Sequence, residues 1–125
     1  MTQILLVAAG GAVGSVCRYL VGVWALRLMG PSFPWGTVTV NIVGSFAIGM
    51  LAELIVARFG ASAELRLLLI TGFLGGFTTF SAFALDAVTL FERGASLALM
   101  AYLILSIAAT IAAAFAGIGL MRSLL

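Results

Sequence analysis

Residues 63–91 read AELRLLLITGFLGGFTTFSAFALDAVTLF. At a rise of ~1.5 Å per residue this stretch outruns the ~30 Å hydrocarbon core of a bilayer. It also carries Gly72, the pair Gly75-Gly76 and the pair Thr78-Thr79. Glycine weakens a helix, and threonine hydroxyls compete for the backbone carbonyls of the ladder. The stretch therefore predicts a membrane-spanning helix broken near its middle. Broken backbone at that depth frees carbonyls, which suit a small cation, and N–H groups, which suit an anion. A plain glycine kink in a packed helix is the simpler reading.

The flanking sequence supplies three more spans. Residues 3–28 are apolar and stop at Met29-Gly30-Pro31-Ser32-Phe33-Pro34, which holds both prolines of the chain. Residues 35–57 follow, closed by Arg58 and the turn Gly60-Ala61-Ser62, with Ser62 placed to cap the next helix. Glu92-Arg93-Gly94 turns the chain into a last span, 96–121. The expected fold is an all-α membrane protein of four transmembrane helices in a single domain.

Composition agrees. Of 125 residues, 64% are hydrophobic and 8% charged, against roughly 25% charged in soluble domains. So small a core cannot hide that apolar surplus, which must face lipid. Six basic residues, all arginine, and four acids are too few and too scattered for a nucleic-acid footprint. One cysteine, Cys17, excludes an intramolecular disulfide, and the absence of histidine removes the commonest general base and zinc ligand. The N-terminus lacks a basic leader before its apolar run, so no signal peptide is expected. Arg58, Arg66 and Arg122 fall on the side of both termini, and Arg27 and Arg93 on the other. That balance is too even to fix an orientation.

Polar residues inside spans are costly and so mark function or packing. Asn41, in Thr37-Val38-Thr39-Val40-Asn41, reads either as interhelical glue or as a pore lining. Tyr102, Ser106 and Thr110 lie at i, i+4 and i+8 and form one hydroxyl stripe, a polar track unless each hydroxyl bonds its own helix. Phe80 and Phe83 share a face just past the break. Their ring edges carry partial positive charge, although such pairs are usually packing. Arg18 is deep in the first span and needs a partner. Asp86 should lie in the same leaflet, and an Arg18–Asp86 pair is expected. Glu53 falls in the opposite leaflet, near its interface. Gly10 and Gly14 form a GxxxG pair for close helix approach.

Three stretches together resemble the CrcB/Fluc family of fluoride channels: Gly10-Gly11-Ala12-Val13-Gly14-Ser15-Val16-Cys17-Arg18-Tyr19, Gly36-Thr37-Val38-Thr39-Val40-Asn41-Ile42-Val43-Gly44-Ser45-Phe46, and Thr71-Gly72-Phe73-Leu74-Gly75-Gly76-Phe77-Thr78-Thr79-Phe80-Ser81. The resemblance covers essentially the whole chain. It implies an antiparallel, dual-topology homodimer in the inner or plasma membrane, with two fluoride pores. It further implies that Asn41, Phe80, Phe83, Ser81, Tyr102, Ser106 and Thr110 meet the ion. The carbonyls of Gly75 and Thr78 would hold a structural sodium ion at the dimer centre. Two positions depart from the family pattern: Ala82 stands where threonine is usual, and Asp86 where glutamate is common.

The expected function is passive, selective fluoride export, in which hydroxyl and amide donors and ring edges replace the ion's water. Three rivals are weaker. An exporter of organic cations would want a free buried carboxylate, and Asp86 is expected to be paired. A structural subunit would leave the hydroxyl stripe and the break without a task. An enzyme would need acid–base groups that this sequence does not place together.

Overall fold

A backbone in hydrocarbon has no water to bond, so each span must close its own ladder. The computed structural model describes residues 1–125 and contains four helices long and apolar enough to cross a membrane: Thr2–Met29, Trp35–Arg58, Ala63–Glu92 and Ser96–Leu124. We call these the first to fourth spans. The first ends at Gly30, whose N–H still donates to the Leu26 carbonyl and whose positive φ of 78° then turns the chain out of the helix. Pro34 then stands at the N-cap of the second, where its missing N–H costs no ladder bond. Ser62 caps the third, its Oγ accepting from Leu65 N–H at 3.3 Å.

The third span is not one helix. A short α-turn, Ala63–Leu65, widens into a π-helix over Arg66–Leu74, followed by a single turn Gly75–Phe77. The ladder then stops, Thr78 is extended (φ −88°, ψ 161°), and a new helix runs Ser81–Glu92. The break lies where the glycine and threonine pairs predict it. The π-helix before it has no signature in the sequence; wide turns of this kind gather at functional sites.

Two backbone-to-backbone seams hold the bundle. In the first, Gly10 and Gly14 of the first span lie against the third: an added Cβ would strike the carbonyls of Leu68 and Phe73. In the second, Gly49 and Gly117 face each other across the second and fourth spans, where a Cβ would strike the carbonyls of Ala114 and Phe46. Small residues are what permit such approach in lipid, where dispersion rather than water exclusion drives packing.

The core is correspondingly thin, with 16 of 125 residues buried. One cluster joins Val38, Leu90 and Tyr102 from the second, third and fourth spans; the other joins Val40, Leu74 and Phe77. Outside lie Trp24 (67% exposed), Phe115 (72%) and Leu97 (87%). A surface of that kind is stable only against lipid or another apolar surface.

Candidate functional site: the break and the groove beside it

Where the third span breaks, its polar groups need other partners. Thr78 turns back on the helix it leaves, its N–H and its Oγ1 both donating to the Leu74 carbonyl, at 2.9 and 2.8 Å. Thr79 turns to the second span. Its N–H donates to Asn41 Oδ1 at 2.8 Å, and Asn41 Nδ2 donates to the Thr79 carbonyl at 2.9 Å. Thr79 Oγ1 accepts the Ala82 N–H at 3.0 Å and lies 3.3 Å from Ser81 Oγ, so Thr79 is the side-chain cap of helix 81–92. The carbonyls of Gly75 and Thr78 receive no hydrogen bond from the amides of the break.

A groove of about 330 Å³ opens beside the break, lined by Asn41, Thr79, Phe80, Phe83, Ser106 and Thr110 among others. Phe80 and Phe83 sit with centroids 5.5 Å apart and planes tilted by 35°. Phe80 projects outward, 80% exposed, whereas Phe83 is half-buried against Tyr102, with centroids 5.1 Å apart. Gly44 floors the groove because a Cβ there would strike the Thr78 side chain.

The hydroxyl stripe of the fourth span is one row with three separate fates. Tyr102 is fully buried and donates to Asp86 Oδ2 at 2.9 Å, outside the groove. Ser106 Oγ is buried at the groove wall without a partner. Thr110 Oγ1 donates back to its own helix, to the carbonyls of Ser106 and Ile107. Of the expected site residues, the fold gathers Asn41, Gly75, Thr78, Phe80, Phe83, Ser106 and Thr110 on the groove. Ser81 stays at the exposed start of its helix and does not line it.

The expected Arg18–Asp86 ion pair does not form. Asp86 Oδ2 instead accepts from Thr37 Oγ1 at 2.7 Å and from Tyr102. The only ion pair in the chain is Arg122–Glu53 at 2.8 Å, between the fourth and second spans. The reason is facing. The first span packs on the first half of the third, while Asp86 on the second half looks toward the second and fourth spans. Sharing a leaflet fixes depth but not direction. Sequence reasoning did not assign a role to Thr37, although it stands in the motif that carries Asn41, one helical turn earlier. Asp86, Thr37 and Arg93 line a second cavity of about 450 Å³, walled by Phe33 and Trp35. Tyr102, touching Phe83 with its ring and Asp86 with its hydroxyl, stands between the two cavities.

Comparison with known proteins agrees with this architecture. A family model described as CrcB-like protein, Camphor Resistance (CrcB), matches residues 5–118. A protein of Rhizobium etli named Fluoride-specific ion channel FluC is 65% identical over 124 residues, 99% of each chain. Proteins of the same name from Agrobacterium fabrum and a Chelativorans species are 63% and 51% identical, over 99% and 100% of each chain. These relatives are named as ion channels and not as enzymes. A match over nearly all of the sequence, together with four spans and a broken third, shows that the chain belongs to the CrcB family of membrane channels.

Proposed function

We propose that this protein is a fluoride-selective channel that lets fluoride leave the cell passively and so lowers its toxicity, working in the inner or plasma membrane as an antiparallel, dual-topology homodimer. The observation that carries this reading is the groove: it is lined by Ser106, whose buried hydroxyl has no partner, by Asn41 and by Phe80 and Phe83, with no cation or carboxylate among its lining residues. Fluoride holds water tightly, so a pore must supply donors as water is stripped away. A neutral set of donors does this without a charge that would trap the ion. Phenyl edges add weak positive potential where hydroxyls end.

Two features support the dimer. The groove is open along one side, and Phe80 projects from it, 80% exposed, with its ring paired to Phe83. A second copy would close the groove and cover Phe80. The near balance of arginines on the two faces suits insertion in both orientations.

The sodium expected at the dimer centre is tested against the donor set. A hard monovalent cation wants oxygen ligands. No group of three or more His, Cys, Asp or Glu residues is present to supply them. The carbonyls of Gly75 and Thr78, bare of amide donors, fit the requirement. When bound, sodium would neutralise the carbonyl dipoles gathered at the break. The chain's own part is to hold these two carbonyls free, and the ion would be structural rather than transported.

The test is efflux from liposomes reconstituted with purified protein and loaded with fluoride, followed by a fluoride electrode, beside chloride-loaded liposomes. Fast fluoride release without chloride release, strongly reduced in Ser106→Ala, is expected. Equal release of both anions, or none from folded protein, would overturn the reading.

A further inference from the structure

Broken backbone inside a membrane keeps one shape only if something outside the helical ladder imposes it. At this break the bonds that come from outside the third span are made by a single side chain. Thr79 leaves the helix with its N–H and C=O both turned out of the ladder, and both are taken by Asn41, at 2.8 and 2.9 Å. The amide's direction is fixed by this pairing, since the opposite rotamer would set donor against donor and acceptor against acceptor. A primary amide has two N–H hydrogens and two lone pairs, and the grip uses one of each. One N–H is left unused, on a side chain that lines the groove. Thr79 passes the constraint on: its hydroxyl accepts the Ala82 N–H at 3.0 Å and so sets the first turn of helix 81–92.

We propose that Asn41 is a positioning residue, whose two-bond grip on Thr79 holds the break in shape and thereby aims the free carbonyls of Gly75 and Thr78 and the rings of Phe80 and Phe83. The inference deepens the channel reading and rests on it for its purpose, but the grip itself is independent of any ion. Asn41 thus acts twice, once through the backbone it holds and once through the N–H that remains. Thr79 is the counterpart of the grip: its backbone receives it and its hydroxyl relays it. Replacing Asn41 should therefore disturb residues that never touch it.

The test is amide hydrogen exchange on the full chain, labelled with ¹⁵N-threonine, in detergent micelles. Asn41→Leu keeps the approximate shape and removes both bonds; Asn41→Asp keeps an oxygen to accept the Thr79 N–H. In Asn41→Leu the Thr79 amide should exchange about tenfold faster, the worth of one ordinary hydrogen bond. The Thr110 amide, inside an intact helix, should be unchanged, and Asn41→Asp should keep most of the Thr79 protection. If Asn41→Leu does not fold, Asn41→Ser, too short to reach Thr79, takes its place in the same comparison. Unchanged Thr79 exchange in the folded variant would overturn the proposal.

A second readout is the sodium dependence of fluoride efflux. A grip that aims the Gly75 and Thr78 carbonyls predicts that Asn41→Ser needs about threefold or more sodium for half-maximal rate. Ser106→Ala should lower the rate at every sodium concentration without moving that midpoint. A lowered rate with an unmoved midpoint in Asn41→Ser would make Asn41 a pore donor only and overturn its positioning role. Absence of fluoride efflux in the unaltered protein would sink the channel reading and leave the exchange result standing.

Discussion

The two halves of the third span are held by different physics. Residues 63–77 lie against the first span backbone to backbone, through Gly10, Gly14, Gly72 and Gly76, and contribute Gly72, Leu74 and Phe77 to the buried set. Residues 81–92 bury only Leu90 and leave Leu85, Val88 and Phe91 exposed. What holds the second half is polar: Asn41 grips Thr79, and Thr37 and Tyr102 grip Asp86. A dispersion seam has no tolerance for added volume, whereas a polar latch tolerates volume and fails when one partner is lost. The half of the span that carries the site's two phenylalanines hangs on latches.

The largest expected effect therefore lies in the first half. Gly14→Leu drives a side chain into the Phe73 carbonyl, a backbone atom that cannot step aside. It should lower stability by about 3 kcal/mol, enough to abolish a single monodisperse species in size-exclusion chromatography. Gly22→Leu, on the same helix with open space around its position, should leave the profile unchanged. If both variants behave alike, the seam is not what fixes this half.

Next comes the latch at Asp86. Asp86→Ala leaves the Thr37 and Tyr102 hydroxyls without their acceptor and should cost about 1–3 kcal/mol, read as a lower melting temperature in detergent. Asp86→Asn keeps an oxygen there and should cost less. Arg18→Gln should add independently to Asp86→Ala, because the two groups do not pair. Strong coupling between them in the double variant would restore the ion pair that the sequence suggested.

That last contrast shows what was legible and what was not. Hydropathy and the Gly/Pro punctuation place four spans, because a bilayer imposes length and apolarity directly on the sequence. The Gly75-Gly76 and Thr78-Thr79 pairs place the break, because they weaken a ladder locally. Facing is a different kind of information. Arg18 and Asp86 share a depth, yet the rotation of their helices turns Asp86 toward Thr37 and Tyr102. Tyr102, Ser106 and Thr110 share a stripe, yet their hydroxyls meet a carboxylate, nothing, and their own helix. The π-helix over Arg66–Leu74 shifts the register before the break, and single-residue patterns do not encode it.

The fates of the stripe give the next prediction, now within the site. Ser106→Ala removes an orphaned buried hydroxyl, so stability should hold or rise slightly. Fluoride efflux should fall about tenfold, the loss of one donor in a dehydrated path. Thr110→Val removes a hydroxyl already spent on its own backbone and should lower efflux much less. Equal losses would mean that the ion draws Thr110 away from its helix, and the uncommitted groove would then be wider than Ser106 alone.

The smallest effect is expected at Ala82, where the resemblance to the family leads us to expect threonine. Helix 81–92 does not need that hydroxyl to start, because Thr79 already caps the Ala82 N–H. Ala82→Thr should leave the melting temperature within about 1 °C, as for most changes that touch no packed seam. Its hydroxyl has two destinations. Turned toward Phe80 and Phe83 it would add a donor beside the groove and raise fluoride efflux by roughly twofold. Turned back one helical turn it would bond the Thr78 carbonyl, as threonines do, and compete with the cation proposed there. We expect the first, because Thr78 is extended and its carbonyl no longer lies along the axis of the helix that begins at Ser81. A faster efflux with an unchanged sodium midpoint bears this out. A raised midpoint without a faster rate would show that alanine at this position keeps the Thr78 carbonyl free, and that the second half of the span is tuned for its cation before its anion.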